Sequence, residues 1–289
     1  MKPLKTRLQE AKKRLAVIQW QIIERDYLLS WVLAGISRTE VLQNTLVFKG
    51  GTALKKCYFG EYRFSEDLDF SGLQGTPVGE DMEEAVRNAY VEASRLLDEY
   101  APVEISCERY EEREPHPGGQ KAFIVRARMP WQNTPLTRIK IEISMDEKII
   151  KPIQKCKVIH EYGEPLEAEL NVYALEEIIA EKLRAILQHA DKIEQRGWGR
   201  SRARDFYDLW RLFGTYTGHM DLTDFTVFLK KKCEVRDVTF SDPDEFFRNT
   251  MLAYVKKTWE QWLGPLVPNL PSFDTVITEL RPRIHALFE

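Results

Sequence analysis

The hydrophobic period of this chain changes once, near residue 172, and that change restricts the fold more than any other feature. Before it, "TLVFK" (45–49), "RFSEDLDFS" (63–71), "KAFIVRARM" (121–129), "RIKIEIS" (138–144) and "KCKVIH" (155–160) read as short strands. Helical patterns lie among them. One runs from residue 8 to about 36 on Leu15, Ile18, Ile22, Leu28, Leu29 and Val32, a short one covers 52–60, and another covers 79–99. A polar loop containing "EPHPGGQ" precedes the paired alternating segments. After the change only helical patterns follow, at 174–190, 203–215, 222–232, 244–263 and 273–287. The order predicts an α+β or α/β core followed by a helical C-terminal region. The expected division is 1–168 for the sheet-bearing core with its N-terminal helix and 169–289 for the helical domain.

Several function classes are disfavoured by composition. The formal charge of -3 gives no global basic signal, so contact with nucleic acid must come from a local patch. No long apolar run suggests a membrane span, and the charged start, "MKPLKTRLQEAKKRLAVIQW", lacks the apolar core of a signal peptide. Cys57, Cys107, Cys156 and Cys233 are scattered and form no C-x-x-C, which suits thiols in a reducing cytoplasm. The histidines show no zinc spacing.

Within "RFSEDLDFS", residues i and i+2 share a face. Ser65, Asp67 and Asp69 therefore share one side, and Phe64, Leu68 and Phe70 the other. Two carboxylates about 7 Å apart along a strand repel each other unless a cation sits between them. Hard divalent ions bind carboxylates together with substrate phosphates, and paired ions stabilise attacking and leaving oxygens. In "RIKIEIS", Lys140, Glu142 and Ser144 oppose Ile139, Ile141 and Ile143, so Glu142 is a candidate third ligand if the two strands are neighbours. Taken singly, each acid also suits a solvated strand face.

Just upstream, Gly50 and Gly51 let the backbone approach a ligand, the following helix turns its amides toward an anion, and Thr52 is placed at the N-cap. This is neither a Walker A loop nor a dinucleotide-binding G-x-G-x-x-G. In the helical half, Lys182 falls in the apolar stripe of "VYALEEIIAEKLRAILQ", where it either snorkels to water or meets an anion. Arg200, Arg202 and Arg204 form a basic patch at a helix start, with Ser201 or Asp205 as its N-cap, and Asp205 and Asp208 are i, i+3 neighbours open to pairing with arginine.

"KGGTAL" followed by "YRFSEDLDFS" resembles the first motif of the DNA polymerase β-like nucleotidyltransferase superfamily, and most of all the AbiEii/AbiGii-type nucleotidyltransferase toxins. Gly50, Gly51, Thr52, Arg63, Ser65, Asp67 and Asp69 occupy that motif. Glu181-Lys182-Leu183-Arg184-Ala185 and the run from Arg202 to Leu209 match the family's later E-K-L-x-A and R-x-R-D-h-x-D-L motifs, where h is apolar. The resemblance implies an α+β fold, a nucleotidyltransferase-like mixed sheet with flanking helices followed by a helical C-terminal region that completes the nucleotide site. It implies transfer of a nucleoside monophosphate from a nucleoside triphosphate, with Mg2+ or Mn2+ on Asp67, Asp69 and Glu142. Gly50, Gly51, Thr52 and Ser65 would hold phosphates, and Arg63 would brace the acidic strand or touch phosphate. Lys182 would bind the nucleotide, Asp205 would serve the chemistry, and Asp208 would assist. It also implies an RNA acceptor, in particular the 3′ end of tRNA, a cognate antitoxin and a role in phage defence. Arg196, Arg200, Arg202 and Arg204, with Trp198 among them, are candidate RNA contacts. Two rival readings are a nucleotide-binding regulator that has lost the chemistry and a metal-dependent phosphodiesterase or nuclease.

Overall fold

A computed structural model describes residues 1–17, 19–110 and 121–289. The chain divides into two compact units, one formed by Met1–Glu147 with Ile153–Tyr173, the other by Lys148–Pro152 with Ala174–Glu289.

The first unit runs α1 (Leu4–Arg14), α2 (Trp20–Arg38), α3 (Glu40–Thr45), β1 (Leu46–Lys49), α4 (Gly50–Ala53) continuing into a π-turn (Leu54–Tyr58), β2 (Asp67–Gly72), α5 (Gly79–Asp98), β3 (Glu104–Tyr110), β4 (Lys121–Arg128), β5 (Thr137–Ser144), β6 (Gln154–Lys157) and β7 (Glu169–Val172). The strands form one mixed sheet in the order β3-β4-β5-β2-β1-β7-β6. β2 runs antiparallel to β1 and parallel to β5, which makes the acidic strand central. Helices α2 and α5 pack together and against one face of the sheet, where Val32, Ile36, Val86, Ala89, Val125, Ile141 and Ile143 meet. Phe48 and Phe70 add a ring pair with centroids 5.0 Å apart. This apolar side is the unit's core, and it fixes the strand register, because a one-residue slip would turn its branched side chains outward.

Three expectations need correction. The predicted helix over residues 8 to about 36 is two helices. Ala16 takes φ +51 between them, and Leu15 caps α1 instead of joining α2's buried face. No glycine or proline marks that break, and Ile18 lies outside the described residues. The acidic strand starts at Asp67, so Ser65 precedes it and is not in its alternation. Strands β3 and β7 escaped the periodicity reading: β3 is an edge strand with mostly exposed, charged residues, and β7 is only four residues long. The "EPHPGGQ" loop lies outside the described residues.

The second unit contains α6 (Leu175–Arg196), α7 (Ala203–Thr215), α8 (Phe225–Glu234), α9 (Asn249–Leu263) and α10 (Phe273–His285). Their apolar stripes form a separate core that includes Leu183, Ile186, Phe206, Leu209, Leu229, Val255 and Leu280. The short segment Lys148–Pro152 is fastened to it by buried charge. Glu177 accepts the Lys151 amide at 2.8 Å and pairs with Lys232 Nζ at 2.7 Å, and that ammonium also donates to the Lys148 carbonyl at 2.8 Å. No helix among the described residues is long and apolar enough to cross a membrane. All four cysteines are free thiols.

Candidate active site

In β2 the alternation is realised. Leu68 and Phe70 are buried in the core, and Asp67 and Asp69 are half-buried on the opposite face. Strand register then adds the neighbours. Asp69 lies opposite Glu142 of β5 and opposite Lys49 of β1, and Asp67 lies opposite Lys140. Partners in register share a face. One row therefore reads Lys49, Asp69, Glu142, and the next begins Asp67, Lys140. Lys140 Nζ meets the Glu142 carboxylate at 2.6 Å. Lys49 lies with its ammonium 5.6 Å from the Tyr173 ring centre.

The glycine turn is built against this row. Gly50 has φ +78, in the left-handed region, and a β-carbon there would stand 2.7 Å from Asp69 Oδ2. A β-carbon at Gly51 would run into the Arg63 guanidinium, which is buried and donates to the Phe64 carbonyl at 3.0 Å. Arg63 thus braces the turn. Thr52 does not cap the helix as expected: the helix begins at Gly50, Lys49 holds the cap position, and the Thr52 hydroxyl donates to the Asp67 carbonyl. That bond fastens the turn to the acidic strand. The first amides of α4 have no partner within the helix, as at any helix start, and carry its positive end.

A divalent ion fits the donor chemistry of this strand. Asp67 and Asp69 are hard oxygen donors on one face, and Mg2+ is commonly held by one or two carboxylates plus substrate phosphates. Among the described residues no three His, Cys, Asp or Glu side chains converge into a complete cage. Glu142, expected as a third ligand, has its carboxylate against Lys140 and would have to exchange that ammonium for the ion.

Behind the turn sits a buried polar group that the sequence did not reveal. Lys56, in the π-turn, donates to Asp26 Oδ2 at 2.6 Å and to Ser30 Oγ at 3.0 Å from α2. Tyr162 donates to the same Asp26 oxygen at 2.7 Å. Burial would raise the Asp26 carboxyl, but the Lys56 and Lys55 ammoniums outweigh it and hold Asp26 below its usual range. Lys55 donates to the Gly60 carbonyl at 2.8 Å.

In the second unit, Lys182 neither snorkels nor stands alone. Its Nζ lies 2.9 Å from Asp205 Oδ1 and 2.7 Å from Asp208 Oδ2, with Asp208 fully buried. Arg202 pairs with the other Asp205 oxygen at 3.2 Å. Burial would push the Asp205 carboxyl up, yet the two cations hold it far below the usual carboxylate range. The N-cap of α7 is Arg202, so Asp205 is not the cap, and Ser201 Oγ accepts the Ala203 amide at 3.2 Å and lies 2.7 Å from the Thr258 hydroxyl. Arg202 also donates to His189, whose imidazole is pushed down to about 4 by burial and by the Arg202 charge. The basic patch therefore divides. Arg196, Trp198 and Arg200 are exposed, Arg202 is engaged internally, and Arg204 lies 5.4 Å from the Trp262 ring centre.

A family model described as nucleotidyl transferase AbiEii toxin, type IV toxin–antitoxin system, matches residues 31–279. Among solved structures, the chain is similar to MenT4, a nucleotidyltransferase toxin from Mycobacterium tuberculosis H37Rv. Identity is 22%, coverage is 93% of this chain and 85% of that one, and the TM-score is 0.61. At that identity the likeness speaks for the fold. A comparison with curated proteins gave no match.

Proposed function

The chain belongs to the AbiEii family of nucleotidyltransferase toxins of type IV toxin–antitoxin systems, and on that premise we propose how its residues divide the work. Asp67 and Asp69 would hold a divalent ion, Mg2+ or Mn2+, together with the triphosphate of a nucleoside triphosphate, and Glu142 would be a third ligand in place of its contact with Lys140. The ion, when bound, neutralises phosphate charge and favours ionisation of the attacking hydroxyl. The amides of Gly50, Gly51 and Thr52 face the β- and γ-phosphates, with Ser65 beside them, and Arg63 keeps the turn in shape. Lys182 neutralises charge on the nucleotide, and Asp205 and Asp208 orient its ammonium.

An acceptor hydroxyl attacks the α-phosphorus in line. The new O–P bond forms as the bond to the bridging oxygen breaks, and pyrophosphate leaves. Catalysis rests on positioning and on fixed charge near the transferring group. The acceptor is RNA, in particular the 3′ end of tRNA, approached by Arg196, Arg200, Arg202 and Arg204. Arg202 acts mainly through its bond to Asp205. The protein works in the cytoplasm against a cognate antitoxin, in phage defence.

The observation that carries this reading is the close fit between Gly50 and Asp69, which places a helix start directly beside two in-line carboxylates. The test is a transfer assay with each of the four nucleoside triphosphates against total cellular RNA. An Asp67→Ala, Asp69→Ala variant runs beside it. Labelled RNA and released pyrophosphate are expected with the wild-type chain only. Equal labelling by the variant, or cleavage of RNA without pyrophosphate, would replace the reading with one of its rivals.

A further inference from the structure

The sheet has a second side, and its composition is unusual. Helices α2 and α5 cover the face carrying Ile139, Ile141 and Ile143. The other face carries Asp67 and Asp69, and register extends it outward through β5, β4 and β3. Glu142 is opposite Ala122, and Ala122 is opposite Tyr110. The row that holds Asp69 therefore ends on an aromatic ring at the sheet edge, with the smallest side chain of the row at Ala122. The next rows carry Asp67, Lys140, Ile124 and Glu108, then Arg138, Arg126 and Ser106.

Tyr110 is 38% exposed. Two cations approach its ring: Lys140 Nζ at 5.1 Å and the Arg138 guanidinium carbon at 5.9 Å from the centre. Arg138 is exposed. The nearby acids are engaged, Glu108 with Arg126 at 3.0 Å, Glu104 with Arg128 and Glu142 with Lys140. These pairs leave the exposed Arg138 guanidinium beside the ring.

An exposed aromatic ring at a sheet edge, flanked by cations, is the chemistry by which proteins stack unpaired bases and hold the phosphates between them. We propose that Tyr110, Arg138 and Lys140 form a platform for the single-stranded end of the RNA acceptor. A base stacks on Tyr110, Arg138 takes an adjoining phosphate, and the chain continues toward Asp69. Three strand spacings separate the Tyr110 and Asp69 backbones, about 14 Å. That is about four base-stacking rises of 3.4 Å, so the stacked base lies a few nucleotides in from the reacting end. This rests on the reading of Asp67 and Asp69 as the transfer centre and adds where the acceptor lies.

The test uses the full chain, as wild type and as Tyr110→Ala, Tyr110→Phe and Arg138→Gln, with a fluorescein-labelled short single-stranded RNA followed by anisotropy over a salt series. Calorimetric titration with nucleoside triphosphate and Mg2+ runs in parallel, and melting curves confirm folding. Tyr110→Ala should weaken RNA binding about 5- to 150-fold, the range for one stacked base. Tyr110→Phe should bind like wild type. Arg138→Gln should lower the slope of log affinity against log salt by about 0.7, the loss of one phosphate contact on a single strand. Nucleotide affinity should not change in any variant. RNA binding by Tyr110→Ala equal to wild type, or no RNA binding by wild type, would overturn the platform. Failure of the transfer centre looks different: the wild type would bind RNA through Tyr110 but take up no nucleotide and release no pyrophosphate.

Discussion

Replacing Gly50 by alanine tests the central geometry, because the structure separates two effects of one methyl group. The first is backbone strain. At φ +78 an alanine sits in the left-handed region, which costs about 1–2 kcal/mol. The second is a collision, since the new β-carbon would lie 2.7 Å from Asp69 Oδ2. The carboxylate is the end of a side chain and can turn away, so the collision costs little stability but moves a proposed metal ligand. A displacement of about 1 Å at a reacting centre lowers rate about 10²-fold. Gly79 provides the control. It has φ +57, and a β-carbon there meets nothing within 4 Å. Gly79→Ala should carry the strain alone. Both variants should therefore lose similar stability in urea unfolding, about 1–2 kcal/mol. In steady-state pyrophosphate release Gly50→Ala should lose about 10²-fold in kcat, whereas Gly79→Ala should keep nearly all of it. Equal kcat for the two variants would refute the argument, because the Gly50–Asp69 contact would then have no bearing on catalysis.

Two further predictions concern the second unit. Lys182→Met leaves the buried Asp208 carboxylate without its 2.7 Å partner and should destabilise by about 3–5 kcal/mol; adding Asp208→Leu should recover most of that in urea unfolding, and separate additive losses would show that the two do not interact. His189 has its imidazole pushed from 6.5 down to about 4, so the unfolded chain binds its proton first as pH falls. The resulting stability is complete above about pH 6.5 and declines between there and pH 4, by up to about 3 kcal/mol; His189→Gln should flatten that part of the stability–pH curve, and an unchanged curve would count against the assignment.

The local geometry of the candidate site could be read from the sequence because its signals are local. Asp67 and Asp69 with Leu68 and Phe70 are a two-residue alternation, and a strand converts it directly into two faces. The strand-bearing first part and the helical second half followed from period alone, and the motif order pointed to the family that the comparison found. The details that stayed hidden depend on contacts distant in sequence. Thr52 has a good N-cap side chain, but its hydroxyl is drawn to the Asp67 carbonyl, fifteen residues on. Lys182 seemed to be a lysine in an apolar stripe, and only the packing of α6 on α7 brings Asp205 and Asp208 to it. Tyr110 lies on an edge strand whose charged residues hide the alternation, and its line with Asp69 exists only through the register of three strand pairs.

The same reasoning explains why charges are buried behind the glycine turn. Three residues after Gly51 begins a π-turn segment that includes Lys55 and Lys56, both directed inward. A π-turn is a locally disfavoured form of helix and often marks a functional region, so something must hold it. The Lys56–Asp26 pair does so from α2, with Ser30 and Tyr162 completing the hydrogen bonds. Buried ion pairs often add no net stability over an apolar pair of similar size, although removing one partner costs about 3–5 kcal/mol. Asp26→Asn alone should therefore destabilise strongly. The double variant Asp26→Leu, Lys56→Met should regain most of the stability, but it lacks the directed bonds that fix the turn's path. If those bonds set the position of Gly50 and Gly51, the double variant should melt near the wild-type temperature and still show a raised KM for the nucleoside triphosphate. A double variant that regains stability and wild-type KM together would show that the pair contributes only to folding.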